Sequence, residues 1–319
     1  MLARLKYFLP ALVLVIAGTC LLTRSASAGP HWGADYFPNV PLVTQDGKTV
    51  HFYDDLLKGK LVAIDMIYTH CVDSCPLETA RLAQVQKTLG DRVGKDIFFY
   101  SITLDPKRDT PEVLKAYAEK YHAGPGWLFL TGKREDIELL SRKLGLYSDP
   151  NASNRDGHTP TLLLGNEPAG LWMNNSALDD PAFLATTIGQ FMDNYRTAPP
   201  MPTPSYAEAK ALDLKTGPYL FNTRCAACHT IGHGTKIGPD LLGITNQRDH
   251  DWLARFIATP DKLLAQNDPI ATQLFAKYQQ VQMPNLRLDQ QQTEAILNFI
   301  QQQSEAAEAK TLRQTGPTE

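Results

Sequence analysis

Leu61-Val62-Ala63-Ile64-Asp65-Met66-Ile67-Tyr68 runs directly into Thr69-His70-Cys71-Val72-Asp73-Ser74-Cys75-Pro76, and this stretch decides the fold of the first half of the chain. The apolar run reads as a buried strand, and Pro76 suits the first turn of a helix. A cysteine pair at such a turn sets a sulfur near a helix N-terminus, where backbone N–H groups and the dipole favour thiolate. Outward from it, the patterns predict a helix over 76–89, a strand over 97–103, a helix opened by Thr110-Pro111-Glu112 and a strand over 127–130. A helix near 135–144, a strand over 161–164 and a helix over 181–195 follow. Alternating strands and helices argue an α/β layer around a central sheet.

A second cysteine motif has a different chemistry. Cys225-Ala226-Ala227-Cys228-His229 is the C-x-x-C-H signature of covalent c-type haem attachment. It occurs once, which predicts one haem. The chain has 5 cysteines: the two pairs and Cys20, which lies in an N-terminal apolar run and follows Ala17-Gly18-Thr19, a poor lipoprotein box. Arg4 and Lys6 precede that run, and Ala26-Ser27-Ala28 closes it with the small residues of a signal peptidase site. Residues 1–28 therefore read as a secretion signal, with a retained membrane anchor as the alternative, and covalent haem attachment places the rest in a bacterial periplasm. Ala198-Pro199-Pro200-Met201-Pro202-Thr203-Pro204 favours an extended polyproline spacer. It divides the chain into 29–197, the linker 198–204, a second domain over 205–305 and a polar tail over 306–319. With 31 Lys+Arg against 34 Asp+Glu, the composition excludes the basic excess of a nucleic-acid binder.

Three segments in order, Tyr68 to Pro76, Thr103-Leu104-Asp105-Pro106-Lys107-Arg108-Asp109-Thr110-Pro111, and Asp156-Gly157-His158-Thr159-Pro160, make the first domain resemble the Sco/SenC family. The resemblance implies a thioredoxin-like fold, a role in copper delivery to the dinuclear copper site of cytochrome c oxidase, and Cys71, Cys75 and His158 as copper ligands. The donor chemistry agrees, since two soft thiolates suit Cu(I) and an imidazole admits Cu(II). Zinc also accepts such a set, although a closed structural zinc site wants a fourth ligand. Thiol–disulfide exchange through Cys71 and Cys75 stays open as a rival, weakened because exchangers of this fold use C-x-x-C. His70 is expected to point away from the cysteines, Asp73 to tune them, meet a partner or face solvent, and Thr159–Pro160 to be a cis bond.

The second domain resembles a small class I cytochrome c, with helices expected over 207–223 and 290–302. That resemblance makes Cys225 and Cys228 the thioether carriers, His229 the proximal iron ligand and Met283, in Gln282-Met283-Pro284-Asn285-Leu286, the distal one. A thioether opposite imidazole raises the haem potential and suits electron transfer. His233 and His250 are rival ligands with poorer contexts. The Pro239 carbonyl is expected to orient the His229 ring, and Phe221, Trp252 and Phe299 to pack the haem and core. The combination is an α/β thioredoxin-like domain followed by a small all-α cytochrome c domain, a copper-binding redox carrier more than a turnover enzyme. A respiratory oxidase copper-site subunit, or a similar acceptor, and an electron-transfer protein are its expected partners. A haem-coupled thiol–disulfide oxidoreductase and a redox or copper sensor are the alternatives.

Overall fold

The computed structural model describes residues 32–147, 159–193, 214 and 216–315. The secretion signal, His158, the proline linker and the start of the helix expected from residue 207 lie outside the described residues.

The first half is built on a mixed sheet of seven strands in the order β2-β1-β5-β4-β3-β6-β7. They are β1 Pro41–Thr44, β2 Thr49–His51, β3 Leu61–Ile67, β4 Ile97–Thr103, β5 Trp127–Gly132, β6 Thr161–Asn166 and β7 Leu171–Ser176. β3 pairs in parallel with β4, and β4 with β5, each joined by a helix: α1 Cys75–Leu89 and α2 Pro111–Lys120. β6 and β1 close the flanks antiparallel. All seven residues of β3 are buried, as a strand covered on both faces must be. Two apolar layers form, one around Leu77, Val85, Phe99 and Trp127, the other around Phe52, Val62, Tyr100 and Leu130. Each such side chain contributes roughly 1.5–3 kcal/mol of burial. One polar thread crosses the core, Trp127 Nε1–H donating to Ser101 Oγ at 2.9 Å and the Ser101 hydroxyl to Asp65 at 2.6 Å.

Helix starts follow their caps. Thr110 accepts from the Val113 N–H ahead of α2, and Asp180 accepts from Ala182 and Phe183 ahead of α4 Pro181–Thr186. α3, Arg134–Lys143, packs its Ile137 and Leu140 inward. The helix expected to reach residue 195 leaves α geometry at Thr187 and continues to Met192 in wider turns.

The second half is helical: α5 Gly217–Leu220, α6 Ile244–Gln247, α7 His250–Ala258, α8 Pro260–Ala265, α9 Pro269–Lys277 and α10 Gln290–Thr315. α10 runs past the expected end at 302 into residues read as a tail. α5 crosses it at Gly217, where a Cβ would lie 2.3 Å from the Ala295 carbonyl oxygen and 2.7 Å from Phe299 Cβ. Glycine is what lets the two backbones touch there. Phe221 and Phe299 seal the crossing with ring centroids 5.5 Å apart. No helix among the described residues is long and apolar enough to cross a membrane.

Candidate functional site

Cys71 and Cys75 sit where β3 hands over to α1, both as free thiols, 4% and 0% exposed. The Cys71 N–H donates to the Tyr68 carbonyl at 3.2 Å, and Ser74 O receives the Leu77 and Glu78 N–H groups at 2.9 and 3.0 Å, starting the helix. A hydrogen bond from Cys75 is the largest influence on Cys71 and brings its thiol down to about 7 against the opposing effect of burial. Burial and the proton shared with Cys71 push Cys75 well up. The pair is therefore one thiolate and one thiol near neutrality, with Cys71 the nucleophilic sulfur.

The loop before the cysteines is pinned by Asp109, fully buried, which accepts from Thr69 N at 3.1 Å, Thr69 Oγ1 at 2.6 Å and Thr103 Oγ1 at 2.6 Å. This explains the second of the three motifs: its aspartate fixes the first. The His70 ring lies 4.9 Å from that of Tyr68, and its Nε2 3.8 Å from Asp105. One turn into α1, burial raises the Glu78 carboxyl to about 7. Thr79 donates to Cys75 O at 2.9 Å and meets the Tyr117 hydroxyl at 3.0 Å. Sequence reasoning missed Asp109, Glu78 and Tyr117 as neighbours of the site. Every described peptide bond is trans, so the cis Thr159–Pro160 bond is corrected: Pro160 instead accepts the Ala177 N–H at 2.7 Å and Thr161 N–H closes a tight turn onto Thr159 O.

In the helical half a cavity of about 370 Å³ is walled by Cys225, Cys228, His229 and Met283 together with apolar side chains such as Trp252 and Leu297. His229 Nδ1 lies 3.0 Å from the Pro239 carbonyl, the expected contact. The ring donates from Nδ1 and turns its Nε2 lone pair to the cavity. Burial holds its pKa below the usual histidine value, and Gly238 lies so close under the ring that a Cβ would approach Cε1 to 2.5 Å. Burial pushes both Cys225 and Cys228 up to about 12, so they do not duplicate the reactive pair. Two thiols, a neutral imidazole and a thioether around one apolar cavity fit a haem, which Cys225, Cys228, His229 and Met283 would hold and which would supply one-electron transfer. Neither rival histidine lines it: His233 is exposed, and His250 pairs with Glu294 at 3.2 Å.

The two halves meet at the start of α1. Cys75 through Leu82 are buried without a break, which a helix lying on a sheet alone cannot achieve because one face would see water. The helical half covers that face. Pro76 and Leu77 form part of the haem cavity wall, Ala227 joins the core around Leu77, and Ile237 and Leu286 pack against it. Arg81 donates to Thr223 O, the Asn285 N–H donates to Val72 O at 2.8 Å, and Arg287 reaches Asp73 at 3.1 Å. Asp73 is thus neither a solvated acid nor a free dock. The junction itself had no signal in the sequence.

Comparisons with known proteins agree with both halves. The SCO1/SenC family model matches residues 33–192 and the cytochrome c model 214–304. A SCO2-like protein of Rickettsia prowazekii is 36% identical over 116 residues, 36% of this chain and 54% of that protein. A putative copper-binding protein of Stutzerimonas stutzeri is 34% identical over 129 residues, 40% of this chain and 61% of its own length. The chain thus spans about half the length of the curated relatives it matches. Among solved structures, a SCO1/SenC family lipoprotein from Bacillus anthracis aligns with TM-score 0.43 and 26% identity, covering 51% of this chain and 96% of that one. ScoI of Bradyrhizobium japonicum with copper bound aligns with TM-score 0.41 and 25% identity, covering 49% and 99%. With its family model spanning residues 33–192, the chain belongs to the SCO1/SenC family and carries a cytochrome c domain behind that module.

Proposed function

We propose that the chain is a periplasmic copper-binding redox protein that assists copper delivery to, or maturation of, a respiratory oxidase copper site, with one covalently attached haem c as its one-electron partner. Cys71, Cys75 and His158 are the copper ligands in this reading, Cys225 and Cys228 the thioether carriers, and His229 and Met283 the axial pair. The observation that carries it is the position of the dithiol at the head of a helix whose next two residues wall the haem cavity.

Metal uptake needs deprotonated sulfur and releases the protons. Cys71, near 7, gives up its proton readily, whereas Cys75 loses its own to solvent only when the incoming cation takes its place on the sulfur. Copper suits such a pair because thiolate favours Cu(I) and imidazole accommodates Cu(II). When bound, the haem supplies transfer of a single electron, which matches the copper couple better than the two electrons of a disulfide. Near-complete burial of Cys71 also favours a small cation over a bulky protein disulfide. The thiolate–thiol asymmetry supports a second reading, in which Cys71 attacks a partner disulfide and Cys75 releases the partner as a dithiol.

Anaerobic Cu(I) titration of the haem-loaded protein against its His158→Ala variant tests the first reading. One copper per chain is expected, held at least about tenfold more weakly in the variant, or ~1.4 kcal/mol. No stoichiometric copper in the wild type, with disulfide reduction intact in His158→Ala, makes the protein a thiol–disulfide oxidoreductase instead.

A further inference from the structure

The segment that carries Met283 does not end inside its own domain. Two residues on, the Asn285 backbone N–H donates to the carbonyl of Val72 at 2.8 Å, and four residues on, Arg287 Nη2 lies 3.1 Å from Asp73 Oδ2. Val72 and Asp73 are the first two of the three residues between the two cysteines. On its other side the Asn285 side chain donates to Asp261 at 2.8 Å and accepts the Arg287 N–H at 3.0 Å. Arg287 itself holds φ at 54°, a left-handed conformation that side chains other than glycine seldom adopt. Such a conformation persists where surrounding contacts over-determine it, and here Asn285 holds the Arg287 backbone while Asp73 of the dithiol loop holds its side chain. The Asp73 side chain is 16% exposed and that of Arg287 58%, so the pair is shielded on the dithiol side and open to solvent on the other.

We propose that the dithiol loop is the outer brace of the haem's methionine loop, with Arg287 and Asp73 as positioning residues that hold Met283 in place across the junction. The proposal rests on Met283 being the distal ligand, but not on copper binding. A brace of this kind is reciprocal, since whatever rearranges residues 71–75 changes the hold on the thioether, and loss of the thioether loosens the loop.

The test is competition by free imidazole for the ferric iron of the haem-loaded full chain, followed by loss of the far-red iron–thioether absorption band. Imidazole binding measures how easily the protein releases its methionine. Arg287→Ala is expected to tighten imidazole about fivefold. Asp73→Ala, far away in sequence and on the other half, is expected to do the same, and the double variant no more than either alone. The reversed pair Asp73→Arg with Arg287→Asp is expected to recover much of the wild-type value, which a merely misfolded loop would not. Unchanged affinity in Asp73→Ala, or effects of the two substitutions that multiply, would overturn the brace. A wild-type protein without the far-red band, unable to show any competition, would overturn the Met283 ligation on which it rests. The copper titration is read separately, so the copper reading stands or falls apart from the brace.

Discussion

At the scale of single residues the central fact is the inequality of Cys71 and Cys75. Because Cys71 titrates near 7 and Cys75 well above, one sulfur is a nucleophile at neutral pH while the other holds its proton. A lowered thiol pKa means the thiolate fraction rises as pH rises through that value. Single-site alkylation by iodoacetamide in the metal-free protein is therefore expected at Cys71, with a rate that climbs about tenfold per pH unit below 7 and levels off above it. Mass spectrometry of the labelled peptide checks the site, and equal labelling of both cysteines contradicts it. The two cysteine pairs and His229 stood out as short local motifs, and Met283 and the Pro239 carbonyl, expected from the resemblance to cytochrome c, lie at the same cavity. Asp109 and Tyr117 were not, because what makes them neighbours of the site is the sheet that brings residues 40 or so positions apart together.

At the scale of elements, long helices and core strands were readable and edges were not. α1, β4, β5 and β6 fall within a few residues of their expected bounds, since apolar runs and proline starts mark them. β1, β2 and β7 escaped, being short, or, like Leu171-Trp172-Met173-Asn174-Asn175-Ser176, half polar. Their identity depends on pairing, β1 with β5, β2 with β1 and β7 with β6, rather than on their own pattern. Of the three aromatics expected to pack haem and core, Trp252 lines the haem cavity and Phe221 and Phe299 pack the core at the α5–α10 crossing. That crossing makes Gly217 the element-scale test. Gly217→Ala drives a methyl against the Ala295 carbonyl and Phe299, neither of which is a flexible tip. A loss of about 1–3 kcal/mol is expected in chemical denaturation, with the transition followed through the haem absorption. No change in stability would mean that the helices do not cross as closely as described.

At the scale of the whole molecule the two halves form one body around the head of α1. Nothing in the sequence announced this. A proline-rich linker sets only how far the domains can separate, and the residues that join them, Val72 with Asn285, Asp73 with Arg287 and Arg81 with Thr223, are more than a hundred positions apart. Docking places the dithiol loop next to residues that wall the haem cavity, the proximity that the proposed one-electron coupling needs. The most direct test is to add one equivalent of Cu(I) anaerobically to the ferric, haem-loaded protein and follow the haem spectrum. Copper gives up one electron and the iron accepts it. Ferrous haem is expected to appear with a first-order rate independent of protein concentration, and not to appear at that rate in Cys71→Ser. Reduction whose rate scales with protein concentration, or that proceeds equally in Cys71→Ser, would contradict an electron path between the docked halves.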